Sequence, residues 1–584
     1  MNRILTRIGL SLSALAIAGT LAACSLSGTV AAAQSATGGS AASSTTSAGT
    51  AGATASAAAG TSGAGGAAIL AQNTAVTTIA TTYDPAAAVT ITLSGTSASS
   101  SGSGVAVADG TVTISAAGVY RLTGTLTGQV VVDVAGAGPV TLVLDNASIT
   151  SATGSALAVT DAETVAVILA DGSSNTLTDA AVYADTTSDN APNAALFSSA
   201  DTVIAGSGSL TVTGNANDAI GVKDGLQIVS GTITVTAKDD GIRGKDYLVV
   251  TGGTVKVTAG GDGLTSDNDT DAKLGYVAVA GGTIDVTATG DGVSAFTDAV
   301  VTGGTLTVKA GGGSGVKPSD ATSTKGIKAG STIAVSAGTV TIDASDDALN
   351  SDSMLTVDGG RATLASGDDA LHAEADLTIA GGELTVTKSY EGIEAKTIKV
   401  TGGVISVTSS DDGINGSVGG GGAPGAPSAT GGGSFAMSNG SLTVNAQGDA
   451  LDVNSGAATL TGGTMVLYGP TGSGNGALDV DGGFTVSGGT VVALGSAGMA
   501  GTPVASSPQK WVAATAAGKA GSTVSIVKNG QTIATYTSPK AFATVVYSSP
   551  DVTAGSYTIA VDGATVATVT NNVALAGGMG GQRR

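Results

Sequence analysis

The chain has 584 residues, 92 of them Gly, with aromatic side chains at only 3% and charged residues at 11%. So few aromatics exclude a thick globular core, 11 Pro without a Gly-X-Y period exclude collagen, and low charge with ample aliphatic residues excludes disorder. A formal net charge of −21 makes nucleic acid and anionic membrane surfaces poor partners and favours cations.

The chain opens with Arg3 and Arg7 ahead of an apolar run from Ile8 to Ala23, the pattern of a secretory signal over residues 1–23. The run ends in Leu21-Ala22-Ala23-Cys24, which resembles the bacterial lipobox. Cys24 is therefore expected to carry lipid and to hold the protein outside the cell, at the membrane. No other segment is apolar enough to span a bilayer. Cys24 is the single cysteine, so neither a disulfide nor a Cys-based metal cluster can form. Residues 24–75 are mostly Ala, Ser, Thr and Gly and read as a flexible tether. Residues 76–200 read as an N-terminal cap with the first, degenerate coils of a repeat.

From 201 to 500 one unit recurs: a Gly-Thr strand start, alternating β-branched residues, an acidic turn and a second short strand. Gly231-Thr232-Ile233-Thr234-Val235-Thr236 and Gly253-Thr254-Val255-Lys256-Val257-Thr258 show it plainly. The acids recur at Asp218, Asp240, Asp262, Asp291, Asp347, Asp369, Glu391, Asp412 and Asp449, most often 22 residues apart. Longer steps mark inserted loops or a coil whose acid is missing. Period-2 alternation within a 22-residue unit predicts an all-β solenoid, a parallel β-helix whose coils stack roughly 4.8 Å apart. A Gly/Pro-rich loop insert is expected over 417–436. Residues 501–584 hold Trp511, Tyr536, Phe542, Tyr547 and Tyr557 and read as a small β-module that caps the open end, with Trp511 packed inside it. A monomer is expected.

Alternation also separates inside from outside. Two positions after each acid stand Ile220, Ile242, Leu264, Val293, Leu349, Leu371, Ile393, Ile414 and Leu451, a uniformly aliphatic column that must face the core. One position further stand Gly221, Arg243, Thr265, Ser294, Asn350, His372, Glu394, Asn415 and Asp452. That column and the one at n+5, which includes Lys245, Asp267 and Phe296, face outward and vary. A flat face of mixed polar groups suits an extended polysaccharide, with Arg243, Lys245, Asn350, His372, Tyr390 and Glu394 as candidate contacts.

The acid column is the sharpest chemical feature. Carboxylates about 5 Å apart repel by about 1 kcal/mol per pair in water and about 3–4 kcal/mol at an effective dielectric near 20. Solvation, protonation or bridging cations must relieve this; as turn formers, the same acids can also accept backbone N–H groups. Calcium is the expected cofactor, with Asp240, Asp262, Asp291, Asp347, Asp369 and Asp412 as candidate ligands. In the insert Ser266-Asp267-Asn268-Asp269-Thr270-Asp271, Asp267, Asp269 and Asp271 offer hard oxygen ligands at alternate positions of one loop. His372 is the sole histidine, so a His/Cys zinc site cannot be built from it and Cys24. Catalysis has one foothold. β-Elimination from a uronate needs a metal and an Arg or Lys base, and Arg243 and Lys245 lie beside the acids. An adhesin or wall component is the structural alternative.

These residues resemble a bacterial family of secreted, carbohydrate-binding β-helix proteins related in fold to family-nine pectate lyases. The resemblance spans roughly Tyr83 to Asn572. It rests on Gly118-Val119-Tyr120-Arg121-Leu122-Thr123-Gly124, Leu169-Ala170-Asp171-Gly172-Ser173-Ser174-Asn175-Thr176-Leu177-Thr178-Asp179 and Asp240-Gly241-Ile242-Arg243-Gly244-Lys245-Asp246. Gly263-Leu264-Thr265-Ser266-Asp267-Asn268-Asp269, Lys388-Ser389-Tyr390-Glu391-Gly392-Ile393-Glu394 and Ser409-Ser410-Asp411-Asp412-Gly413-Ile414-Asn415 extend it. It implies a right-handed β-helix, calcium, and binding of acidic plant polysaccharide such as pectate, with cellulose a second candidate.

Overall fold

The computed structural model describes residues 64–135, 138–184, 191–318, 321–417 and 432–575. Cys24, the signal segment and most of the expected tether lie outside the described residues. Among those described, no helix is long and apolar enough to cross a membrane.

The described chain is nearly all β, and most of its strands join one long sheet system in which each strand pairs with its counterpart one coil on. A regular coil supplies three strands. In the first sheet, Thr232–Ala237 pairs in parallel with Thr254–Ala259, with Thr232 opposite Thr254. In the second, the short strand Ile242–Gly244 lies beside Leu264–Ser266, with Ile242 opposite Leu264. In the third, Tyr247–Val250 pairs with Tyr276–Val279. This is a parallel solenoid of the β-helix kind. Alternation decides what fills it: Ile233, Val235, Val255 and Val257 of the first sheet and the n+2 column of the second are all buried in one continuous core.

Glycine sets the corner before each first-sheet strand. Gly282 has φ +85°, and a Cβ there would stand 2.8 Å from the carbonyl oxygen of Gly253 in the coil before. A positive φ and a backbone at that distance both require Gly, which explains the Gly-Thr strand starts.

Parallel stacking begins well before residue 201. Val89–Gly95 pairs with Gly118–Thr127, which pairs with Val140–Thr150. Two antiparallel hairpin pairings, of Val89–Gly95 with Ser97–Ser100 and of Val105–Ala108 with Thr111–Ile114, occupy that end. At the other end Thr490–Gly495 pairs antiparallel with Phe542–Ser548, which also pairs with Trp511–Gly518. A separate four-stranded sheet follows, and Val524, Ile526, Phe542, Tyr547 and Tyr557 form a second core there. Trp511 is fully buried, and its indole Nε1 donates to the Val504 carbonyl at 3.2 Å.

Two boundaries differ from the sequence expectation. Residues 64–75, expected in the tether, are docked on the solenoid. The helix Ala64–Leu70 and the chain after it form a strap along the third sheet. Gly65 N donates to Asp358 Oδ2 at 2.9 Å, Tyr276 OH to the Thr74 carbonyl at 2.9 Å, and Gln227 Nε2 to the Thr77 carbonyl at 2.6 Å. Leu70 and Val76 pack on Tyr247 and Tyr276; Ile79 and Tyr83 pack on Val143, Ala166 and Val203. The strap covers the apolar outward side chains of the early third-sheet coils, among them Ala166, Val203, Tyr247, Val249, Tyr276 and Ala278. The insert expected over 417–436 also ends early. Ser434–Met437 is a third-sheet strand on Thr397–Val400, because Phe435 and Met437 fill the core; residues 418–431 lie outside the described residues.

Candidate functional site

The strap lies along the third sheet; on the outer face of the second, Thr265, Asn350 and Asn415 are buried while Arg243, His372 and Glu394 are half-buried, and the acid column runs along its edge. The column is a hydrogen-bonded ladder. Asp240 Oδ1 accepts from Asp262 N at 2.8 Å, Asp262 Oδ1 from Asp291 N at 2.7 Å, Asp347 Oδ1 from Asp369 N at 2.9 Å, and Asp412 Oδ1 from Asp449 N at 2.6 Å. Each carboxylate thus satisfies the backbone of the next coil at a corner where no strand pairing can. Asp218, Asp291, Asp347, Asp369 and Asp449 are buried. Burial first, and then neighbouring acids, push Asp218 and Asp262 up to about 7, and burial likewise lifts Asp412 to about 6. Part of the column therefore holds protons near neutrality, which relieves much of the expected repulsion.

The coil between Asp291 and Asp347, expected to lack its acid, has Lys325 in the column. Asp291 Oδ1 accepts from Lys325 N at 2.7 Å, and Lys325 Nζ reaches Asp347 Oδ2 at 2.7 Å and Asp346 Oδ2 at 3.1 Å. Burial opposes the charge on Lys325, but Asp347 and Asp346 hold the ammonium protonated. Lys325-Gly326-Ile327-Lys328 keeps the Gly-Ile pattern of its neighbours, which marks the coil in the sequence although the acid is absent.

The n+3 column lies beside the acids and pairs with them. Asn350 Nδ2 donates to Asp347 Oδ2 at 2.8 Å, and Asn415 Nδ2 to Glu391 Oε2 at 2.7 Å. His372 Nδ1 lies 2.9 Å from Asp369 Oδ2 and 3.4 Å from Glu394 Oε2. Burial opposes a charge on His372, yet the hydrogen bonds to Asp369 and Glu394 outweigh it and raise the imidazole to about 11. Burial lifts Asp369. Glu394 is held down despite its burial, by hydrogen bonds from His372 and Ser417. Tyr390 is 48% exposed, at the corner leading into the second sheet. Burial and the charges of Arg243 and Lys245 lower Lys223, so these three form a cationic patch at the early end of the face.

The expected calcium loop does not assemble. Arg243 Nε and Nη2 donate to Asp267 at 3.0 and 2.5 Å, so Asp267 is neutralised from the coil before. Asp269 and Asp271 are exposed, and Asp271 Oδ1 accepts from Lys273 N at 3.0 Å. The buried Asn268 takes the inner position instead, its Oδ1 capping Thr270 N and Asp271 N at 2.9 and 3.2 Å. Among the described residues, two sets of three ligand atoms lie within 4.8 Å of one another: Asp346, Asp347 and Asp368, and Asp369, His372 and Glu394. Asp347 and Asp369 come from the expected ligands; Asp240, Asp262, Asp267, Asp269, Asp271, Asp291 and Asp412 enter neither set.

The solved structure of a polysaccharide lyase-like protein from C. thermocellum, in a gadolinium derivative, is similar to this chain. It covers 50% of this chain and 96% of its own, at 28% identity and a TM-score of 0.36. A curated carbohydrate-binding domain-containing protein of Acetivibrio thermocellus is 48% identical over 48 residues, which are 8% of this chain and 17% of that protein. Residues 108–370 match the family model of the carbohydrate-binding domain-containing proteins.

Proposed function

We propose that the chain binds carbohydrate on the outer face of the second sheet, as a calcium-dependent receptor for extended acidic polysaccharide of the pectate type, with cellulose a second candidate. The observation that carries this reading is the carbohydrate-binding family match over residues 108–370, a span that includes the coils of Arg243, Lys245 and Asn350. The face supports it: amides, hydroxyls and charges repeat coil by coil along one polar column, with Arg243, His372 and Glu394 half-buried on it. Uronate carboxylates suit the cationic patch of Lys223, Arg243 and Lys245. Calcium would be held by Asp346, Asp347 and Asp368, an oxygen-only set of the kind hard cations take, where Lys325 now supplies the positive charge. Lipid on Cys24 would hold a monomeric, right-handed solenoid outside the bacterial cell membrane.

Arg243 does not suit a lyase. With two guanidinium nitrogens on Asp267, and its pKa raised by that pair against the effect of burial, it stays protonated; the lyase reading rests on Lys245 alone. Incubating the chain with polygalacturonate or cellulose, with calcium or with a chelator, tests both. Calcium-dependent retention on polygalacturonate without ultraviolet-absorbing unsaturated product is the expected result. Product formation selects the lyase, and failure to retain either glycan, with or without calcium, overturns the proposal.

A further inference from the structure

We propose that Asp369, His372 and Glu394 form a binding site for one divalent transition-metal ion of the zinc class, separate from calcium and independent of the carbohydrate reading. The three side chains come from two successive coils. His372 and Glu394 are opposite one another in the second sheet, and Asp369 stands three residues before His372 at the ladder edge. Strand register sets His372 against Glu394, and the ladder bond to its backbone holds Asp369 at the corner before them.

The ligand geometry fits. His372 Nδ1 is 2.9 Å from Asp369 Oδ2 and 3.4 Å from Glu394 Oε2, and the three ligand atoms all lie within 4.8 Å of one another. A tetrahedral ion with bonds of about 2.0–2.1 Å spaces its ligand atoms about 3.3 Å apart, so only small side-chain shifts are needed. An ion there takes the place of the imidazole proton, and two carboxylates balance its charge. Imidazole selects zinc-class ions over calcium, which prefers oxygen alone.

Around the cluster, hydrogen bonds hold the Glu394 carboxylate and the backbone of Asp369 in place. His372 Nε2, the ring nitrogen turned away from the cluster, lies 3.7 Å from Glu374 Oε1, within ion-pair range and beyond hydrogen-bond distance. Glu394 Oε1 accepts from Ser417 Oγ at 2.5 Å and Asn415 Nδ2 at 3.4 Å, which leaves Oε2 for the ion. The Asp369 backbone is pinned by Asp347 Oδ1 at 2.9 Å. The side chains of His372 and Glu394 remain 18% and 19% exposed, so a fourth position opens to the outer face, where water or a hydroxyl or carboxylate oxygen can complete the shell.

The test titrates the chelator-stripped full chain with ZnCl2 and with CaCl2 by calorimetry, and with CoCl2 by visible absorption. One equivalent of Zn2+ is expected, with a tetrahedral Co2+ spectrum that Zn2+ abolishes. His372→Gln should weaken Zn2+ by more than about 100-fold and Ser417→Ala by about 10-fold, with the calcium heats unchanged in both. Circular dichroism of the same samples shows whether the solenoid persists. If His372→Gln fails to fold, Ser417→Ala at the rim of the site carries the test. Absence of Zn2+ binding, or stoichiometric Zn2+ that survives these substitutions, overturns the site and leaves an imidazolium paired with two carboxylates.

Discussion

Lys325 shows how one residue changes the chemistry of the column. Its ammonium stands where the coils on either side place an acid, and it touches both Asp346 and Asp347. Asp368, lifted by burial and then by those two acids, is one coil further on. Lys325→Met keeps the stem that packs in the corner but removes the charge, leaving three carboxyls facing one another. Breaking a buried pair by deleting one partner costs about 3–5 kcal/mol, so the variant should melt earlier than the parent in a chelator. Millimolar calcium should restore much of the loss, since an ion bound only by the folded state stabilises it by mass action. Equal melting of variant and parent in the chelator would remove the structural role of Lys325. A deficit that calcium leaves untouched would remove Asp346, Asp347 and Asp368 as its ligands. The acids were legible from their spacing, and the inner column of Ile242, Leu264 and Leu371 from alternation. Lys325 was not: a charge of the opposite sign fills the same structural position through its backbone N–H, which any residue except proline has.

Among the elements, the strap is the part that the sequence concealed. Its residues, Ala64-Gly65-Gly66-Ala67-Ala68-Ile69-Leu70, have the composition of the tether before them, and nothing local to them specifies docking. The signal lay in the partner. Tyr247-Leu248-Val249-Val250 and Tyr276-Val277-Ala278-Val279 are continuous apolar runs, the mark of strands covered on both faces, whereas first-sheet strands alternate and stay half exposed. Tyr247 ties the two together: its hydroxyl accepts from Thr77 N at 3.0 Å and donates to Asp201 Oδ1 at 3.0 Å, while its ring stacks on Tyr276 at 5.7 Å. Tyr247→Phe keeps the stack and loses both hydrogen bonds, a local cost of about 1–2 kcal/mol. Amide exchange at Thr77 should speed up by about tenfold, while first-sheet strands such as Thr254–Ala259 keep their protection. Unchanged exchange at Thr77 would mean that apolar contact alone seats the strap. The calcium loop misled for the opposite reason. Spacing brought Asp267, Asp269 and Asp271 together, but Arg243, 24 residues earlier, is one coil away in space and took the first of them.

At the scale of the whole molecule, the ladder makes stability depend on pH in a direction unusual for an acidic protein. Burial raises Asp218, Asp262 and Asp449 to about 7, Glu391 and Asp452 to about 7 and Asp412 to about 6. Their unfolded values lie near 3.9–4.3. Between the two the folded state holds protons that the unfolded chain has released, so this stabilisation is fully present below about pH 4 and is lost as pH rises through 6–7. His372 acts in the same direction. Raised to about 11, it contributes fully below about 6.5 and progressively less above. Glu394, held down, opposes only at the acid end, where its contribution is lost as pH falls below about 4.3. In a chelator the thermal midpoint should therefore fall by about 5 °C or more between pH 5 and pH 8. Calcium at Asp346, Asp347 and Asp368, or zinc at Asp369, His372 and Glu394, should raise the midpoint by mass action and leave most of the slope in place, because the six raised acids lie outside both sets. Calorimetric scans at pH 5, 6.5 and 8, with and without each ion, read the effect directly. A metal-free midpoint that climbs from pH 5 to pH 8 would mean that the column is ionised throughout, its repulsion absorbed by the backbone N–H ladder alone.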